Sequence, residues 1–219
     1  MIPAIFDLDG TLIDSLPSIT DAANGLLAEE GLPPLTTDQT TGFVGRGERV
    51  FLDRLIAATD LVPEGFDALL PRFIVHYEAA AANTKLIPGA VEAVAALRTS
   101  GVKVGLCTNK PRAPLEPTLV AAGLDKAFDV IVAGDDLERR KPDPEPLIFA
   151  MDKLGAERCI YVGDSEVDAE TAKRASMPFA LYTEGIRTTD VADIPHDLAF
   201  DDFKELGEVY QKLCEIAGG

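Results

Sequence analysis

The sequence predicts an α/β protein, a parallel sheet core interrupted after its first strand by an all-helical insertion. Three observations predict it. From Leu86 onward, short and nearly continuous apolar runs alternate with amphipathic helical patterns, the texture of a parallel sheet covered on both faces. One further apolar run, Ile2 to Phe6, stands alone at the start of the chain. Between the two, residues 16–84 carry helical spacing and no convincing strand. The division this implies is a core of residues 1–15 and 85–219 around a cap of residues 16–84.

In chain order, the first strand runs into "FDLDGTLIDS", with Asp7, Asp9 and Asp14 close together around a Gly-Thr turn. Helical segments follow in "LPSITDAANGLLAEEG", "ERVFLDRLIAATD" and "FDALLPRFIVHYEAAAAN", with Pro71 predicting a kink or a break in the last. "EAAAANT" is the expected hinge back into the core. The remaining strands are "VKVGLCT" (102–108), "FDVIVAG" (128–134), "CIYVGD" (159–164) and "PFALYT" (178–183). Between them lie helices, with Asp143 before Pro144 as an N-terminal signal and Gly101, Gly123 and Gly155 as stops.

Composition narrows the function. Lys and Arg number 20 against 37 Asp and Glu, a net charge of −17, so the overall field repels nucleic acid and anionic membranes as partners. No apolar run approaches a membrane span, and the N-terminus lacks the pattern of a signal peptide. Cys107, Cys159 and Cys214 are widely spaced without CxxC pairing and read as buried thiols of a reducing, cytoplasmic protein.

Ligands of an open parallel sheet gather at the carboxyl ends of its strands. Those ends deliver Asp7 and Asp9, then Thr108-Asn109-Lys110, then Gly134-Asp135-Asp136, then Gly163-Asp164-Ser165 with Asp168 one helical turn on. Carboxylates so concentrated call for a cation, and hard oxygen donors without nearby His or Cys point to Mg²⁺. Asp7 and Asp9 share one face while the chain stays extended, and such a pair can divide nucleophilic and proton-carrying work. A calcium-loop reading of the stretch fails, because the sixth position from Asp7 is Leu12 where glycine is required. Thr108 offers a hydroxyl to an anionic oxygen, and Lys141 precedes a capped helix start. With Lys110, Arg112, Arg139 and Arg140, Lys141 forms a basic island suited to an anionic substrate. Gly10 and Asn109 are further candidates for substrate contact.

"DLDGTLIDS", "LCTNKP", "RRKPDP" and "VGDSEVD", in this order, resemble the four motifs of the haloacid dehalogenase superfamily, and the similarity spans the chain. The resemblance implies a Rossmann-like core with a cap inserted after the first motif. It implies that Asp7 attacks phosphorus to form an aspartyl-phosphate, while Asp9 protonates the leaving oxygen and then activates water. It also implies that Thr108 and Lys141 hold the phosphoryl oxygens. Mg²⁺ would be bound by Asp7, the Asp9 backbone carbonyl and Asp164, with Asp168 ordering the outer shell.

Within that superfamily, a retained Asp9 favours phosphate esters over haloalkanoates. Residues 16–84 contain no lysine for a Schiff base, and "SLPSITDAANG" lacks the histidine of the hexose phosphomutases. "DSLPSI", "GLPPLT", "FVGRGE" and "ERRKPDPEPL" are most similar to the phosphoglycolate phosphatase group. Another small phosphate ester, a sugar phosphate or a phosphomutase reaction is the alternative. In "VGRGER", Gly45 and Gly47 allow a tight turn with Arg46 at its tip. This loop is expected to close over the site, excluding bulk water and larger esters, with Arg46 binding the carboxylate of 2-phosphoglycolate. A small anionic ester is thus the expected partner of a monomer or homodimer. "KRASMP" has Ser176 where relatives often end this helix with glycine, which puts the left-handed cap there in doubt.

Two rival readings keep some of these residues. "YVGDS" and "DIPH" resemble blocks of lipase-like serine esterases, with Ser165, His196 and Asp193 as a triad, although the short separation does not suit that fold. A Mg²⁺- and phosphate-binding regulatory module would keep every motif but turn nothing over. His76 and His196 are otherwise expected to be structural or surface residues.

Overall fold

A strand of three fully buried residues, β1 (Ala4–Phe6), opens a computed structural model that describes residues 1–62 and 66–218. After β2 (Ile13–Asp14) come the helices α1 (Leu16–Glu29), α2 (Thr37–Thr41), α3 (Gly47–Ala58) and α4 (Phe66–Ala79). β3 (Lys85–Leu86) returns antiparallel to β2, pairing Ile13 with Leu86 and Asp14 with Lys85. This short ribbon is where the helical block leaves and rejoins the sheet. The chain continues through α5 (Ala90–Thr99), β4 (Val104–Cys107), α6 (Arg112–Ala121), β5 (Val130–Val132) and α7 (Glu145–Lys153). It ends with β6 (Ile160–Gly163), α8 (Glu166–Ala175), β7 (Phe179–Tyr182), β8 (Leu198–Phe200) and α9 (Leu206–Gly218).

Six strands form one parallel sheet in the order β5-β4-β1-β6-β7-β8. Strand side chains alternate between its two faces. Ala4, Phe6, Val104, Leu106, Ile160 and Val162 face one core, packed by α5, α6 and α9. Ile5, Cys107, Tyr161, Phe179 and Leu181 face the other, packed by α7 and α8. A third core, with Leu26, Leu52, Leu55 and Phe73 at its centre, lies wholly within the helical block. Each large apolar side chain so buried contributes about 1.5–3 kcal/mol, so the block is held by its own packing.

The expected strands are present, but β8 was not foreseen. Its three apolar residues, Leu198-Ala199-Phe200, lie between Asp197 and Asp201, a run too short to be told from a loop. Pro71 does not break α4, which runs through it. The proline lies early in the helix on an exposed face, so the carbonyl it leaves without a donor can be met by water. "EAAAANT" becomes a 3₁₀ turn, Ala80–Asn83, before β3. Asp143 caps the start of α7 by accepting from Glu145 N at 3.0 Å. Asp14 does the same for α1 through Leu16 N at 3.2 Å. Ser176 does adopt the left-handed conformation at the end of α8, with φ +56°, at a cost of about 1 kcal/mol for a residue other than glycine. Cys107 and Cys159 are buried free thiols and Cys214 is half-buried. No helix among the described residues is long and apolar enough to cross a membrane.

Candidate active site

β1 is central, and the chain fills the sheet first on its β4 side and then on its β6 side. The carboxyl end of β1 is therefore the topological switch point where open α/β sheets bind ligands. Asp7 follows β1 directly, its N–H donating to Val162 O at 2.9 Å. Residues 8–13 fold into a tight loop in which Leu8 O accepts from Thr11, Leu12 and Ile13. Asp7 and Asp9 line one cavity with Thr108, Asn109, Lys110 and Lys141 on the sheet side. Ile19, Val44, Phe51, Phe73 and Tyr77 close it from the helical block. Its volume of about 60 Å³ corresponds to roughly four to six water molecules, the scale of a small phosphate ester.

Lys141 organises the acidic floor. Its Nζ donates to Asp168 Oδ1 at 2.8 Å and to the Tyr161 hydroxyl at 2.9 Å. It also stands 2.8 Å from Asp7 Oδ1, but off the hydrogen-bond direction, so that buried oxygen has no hydrogen-bond donor. Burial alone would lower the Lys141 ammonium, yet Asp168 and Asp7 override it and hold it above its ordinary value. Asp168 is fully buried and saturated: besides Lys141 it accepts from Tyr161 OH, Ser165 Oγ and two backbone N–H groups. Burial opposes its charge, but Lys141, Ser165 and Tyr161 prevail and lower its pKa.

Asp7 and Asp164 are left in the opposite state. Burial pushes Asp7 up to about 7, with Lys141 pulling against it and Asp168 adding to it. Asp164 is raised well above its ordinary value, by burial first and then by Asp168 and Asp7. Its oxygens accept from Thr11 Oγ1 at 2.8 Å and Ile186 N at 2.7 Å. Single carboxylate oxygens of Asp7, Asp164 and Asp168 lie within 4.8 Å of one another. An all-oxygen set of buried carboxylates, one with an undonated oxygen, fits a hard divalent cation, whose charge reverses the penalty on Asp7 and Asp164. Asp168 offers a third carboxylate to this cluster, but its oxygens already accept from Lys141, Tyr161, Ser165 and the backbone.

Several expected residues do other work. Arg46 is exposed and lines a separate surface cleft with Arg49 and Arg140 rather than the cavity. Gly45 and Gly47 do line the cavity, with φ of +99° and +81°, and this left-handed turn aims the intervening side chain outward. Asn109 is committed to the protein. Its amide donates to Lys141 O at 2.9 Å and Gly45 O at 3.1 Å, and accepts from Lys141 N at 3.0 Å. Gly10 does not line the cavity, and a Cβ there would stand 2.8 Å from Asp164 Cγ.

The basic island does not form. Arg112 pairs with Asp136, Arg139 with Asp143 and Arg140 with Glu48, because arginines near local carboxylates find them first. Asp135 and Asp136 accordingly brace that turn instead of joining the site. Only Lys110 and Lys141 of the group reach the cavity. The esterase reading falls as well. The Ser165 hydroxyl donates to Asp168 Oδ2 at 2.7 Å, while His196 is exposed and its Nδ1 contacts Ile194 O.

Four residues not singled out for the site shape it: Thr11, Tyr77, Tyr161 and Ile186. Tyr161 carried a signal, since a tyrosine inside a fully buried strand needs a polar partner for its hydroxyl. The others arrive through tertiary folding.

A switch-point cavity floored by carboxylates and a lysine, on a Rossmann-like sheet with helices over it, defines a class of enzyme that acts on small anionic substrates, distinct from the serine esterases. The chain belongs to the haloacid dehalogenase-like hydrolases, whose family model matches residues 4–182. It is 45% identical over 212 residues to a phosphoglycolate phosphatase of Cereibacter sphaeroides, covering 95% of this chain and 97% of that one. It is 41% identical over 209 residues to a phosphoglycolate phosphatase of Rhodobacter capsulatus, covering 94% and 95%. The crystal structure of a predicted phosphoglycolate phosphatase from Haemophilus somnus 129PT superposes with a TM-score of 0.88 at 29% identity, over 95% and 97% of the two chains.

Proposed function

We propose that this chain is a divalent-cation-dependent phosphatase that converts 2-phosphoglycolate and water to glycolate and phosphate by way of a phosphoryl group carried on Asp7. The observation that carries this reading is the Asp7 carboxylate. It sits at the switch point beside Lys141, lines a small cavity, and has a buried oxygen without a hydrogen-bond donor. In the first half-reaction an Asp7 oxygen bonds to phosphorus as the ester P–O bond breaks, and Asp9 gives its proton to the departing glycolate oxygen. In the second, Asp9 takes a proton from water, the water oxygen bonds to phosphorus, and the bond to Asp7 breaks.

Lys141 has one ammonium donor beyond its bonds to Asp168 and Tyr161. The Thr108 hydroxyl accepts from Lys110 N at 3.1 Å and keeps its own proton to donate. Both serve the phosphoryl oxygens, whose charge must be met in the transition state. Asp7, Asp164 and the Asp9 backbone carbonyl would hold the cation, Mg²⁺ by its preference for hard oxygen donors. When bound, it neutralises charge on the phosphoryl group. Residues 16–84 act as a cap that keeps bulk water out. The names of relatives matching nearly the whole chain support 2-phosphoglycolate as substrate, and so does the small cavity.

The test is phosphate release from a panel of small esters, with and without Mg²⁺, for wild type and Asp7→Asn. The reading expects 2-phosphoglycolate to lead the panel and Asp7→Asn to lose at least about 10³-fold in kcat. Turnover by Asp7→Asn near the wild-type rate would overturn the mechanism. No turnover by wild type of any ester would make the protein a phosphate-binding module instead.

A further inference from the structure

Lys110 is the second cation of the cavity, and the phosphoryl machinery does not use it. It is only 3% exposed. Its backbone N–H is tied to Thr108 Oγ1, and its side chain reaches across to the cap. There Nζ contacts the Tyr77 hydroxyl, lies 3.9 Å from the centre of the Tyr77 ring, and stands 3.2 Å from Asp9 Oδ1. We infer that Lys110 is the residue that binds the substrate carboxylate, and that it sets the preference for esters with an anionic tail. This deepens the proposed function and rests on that reading of the site.

Three observations carry it. First, a carboxylate entering the cap side of the cavity needs a cation, because an unpaired buried charge is prohibitively costly. Among the described residues lining the cavity the cations are Lys110 and Lys141, and Lys141 is held among Asp7, Asp168 and Tyr161. The cap offers Ile19, Val44, Phe51 and Phe73, which are apolar, and Glu48, which is acidic and paired with Arg140.

Second, Lys110 is underserved. Charge-assisted N–H···O bonds run about 2.7–2.9 Å, so its 3.2 Å contact with Asp9 is loose, and its other partner, Tyr77, is neutral. A second carboxylate would supply the strong partner it lacks, and would take over from Asp9 as its counter-ion. Asp9 is then released to turn its carboxyl toward the leaving oxygen.

Third, the placement suits a short substrate. Thr108 and Lys110 line the same cavity of about 60 Å³, so a phosphoryl group held at Thr108 and a carboxylate held at Lys110 must belong to a small molecule. Arg46, exposed at the loop tip in another cleft, is in no position to compete.

The experiment compares kcat/KM for 2-phosphoglycolate with that for ethyl phosphate, which has the same length and no charge on its tail. Wild type, Lys110→Met and Lys110→Arg are measured, with thermal melting to confirm folding. Lys110→Met is expected to lower both values, since Lys110 touches Asp9, and to cut their ratio by about 30-fold or more, the scale of a lost charge-assisted hydrogen bond. Lys110→Arg is expected to regain most of that ratio. An unchanged ratio in a folded Lys110→Met, with wild type still favouring 2-phosphoglycolate, overturns the assignment of Lys110 and leaves the proposed function standing. A wild type with no preference between the two esters overturns both. Should Lys110→Met fail to fold, Lys110→Arg and Lys110→Gln carry the comparison, and equal ratios in these two overturn the assignment.

Discussion

Arg140 Nη1 stands 2.6 Å from Glu48 Oε2, joining the loop that carries Lys141 to the first turn of α3. Glu48 is nearly buried and Arg140 is 30% exposed at its side chain, so the pair is partly screened but not an ordinary surface bridge. Beside it, Asn109 joins Gly45 to Lys141. The helical block is thus tied to the core through Arg140–Glu48 and Asn109–Gly45, and Gly45, Glu48 and Asn109 all line the cavity.

Arg140→Ala removes one side of that tie and leaves Glu48 in a near-buried site without its cation. The expected cost is about 1–2 kcal/mol of stability, with KM rising more than kcat falls because the loop flanking the substrate loosens. A double-mutant cycle with Glu48→Gln checks it by chemical denaturation. A coupling energy indistinguishable from zero would mean that the contact ties nothing.

Gly10 has φ +86°, and a Cβ there would stand 2.8 Å from Asp164 Cγ and from Ile186 N. Gly10→Ala therefore meets a conformational penalty and a collision with a proposed cation ligand. It should destabilise the protein by about 1–3 kcal/mol and weaken divalent-cation affinity by about tenfold or more, the scale for disturbing the support of a metal ligand. Calorimetric titration with Mg²⁺ measures the second effect. Wild-type affinity in a destabilised variant would separate Gly10 from the cation site.

The sequence exposed the site only where function coincides with the ends of regular elements. Asp7, Thr108 and Asp164 each close an apolar run, so strand periodicity and the rule for ligand placement were enough. Lys141 was visible through the capped helix start that follows it. Tyr77 and Ile186 belong to a helix and a loop far along the chain, and nothing local marks them as facing Asp9 or Asp164. Arg46 was legible as a loop tip, but the direction of its side chain depends on how the left-handed turn at Gly45 and Gly47 meets α3. The basic island failed for a related reason: sequence proximity counts charges, while pairing with Asp136, Asp143 and Glu48 is decided in three dimensions.

Asp168 links the lysine beside Asp7 to the sheet. Its carboxylate accepts from Lys141, Tyr161 and Ser165 without any exposure to solvent. Asp168→Asn keeps the shape and removes the charge, leaving Lys141 buried with Asp7 as its remaining anion. Breaking a buried pair in this way costs about 3–5 kcal/mol. The kinetic signature should fall mainly on kcat, because Lys141 would turn toward Asp7 and away from the phosphoryl oxygens. Urea denaturation and steady-state kinetics test the two halves separately, and a stability loss under about 1 kcal/mol would show that the network is not the anchor of Lys141.

Without a cation, Asp7 titrates at about 7 in the folded protein, raised by burial from an ordinary 3.8. Between those values the folded state holds a proton that the unfolded state has lost, so stability falls as pH rises through this window. Asp164 is displaced in the same direction. Asp168 is moved below its ordinary value and Lys141 above its own, so both titrate outside the window. A divalent cation binds the deprotonated form and must displace the Asp7 proton below pH 7. Its apparent affinity should therefore rise as pH climbs from 5.5 toward 7, by up to about tenfold per pH unit for each carboxyl proton displaced, from Asp7 and from Asp164, with proton release on binding. The stabilisation given by a fixed concentration of Mg²⁺ should grow over the same range. Calorimetric titration in two buffers of different ionisation enthalpy measures the protons released. A cation affinity that stays flat from pH 5.5 to 7.5 would mean that Asp7 is already ionised throughout, with Lys141 alone sufficient to hold its charge.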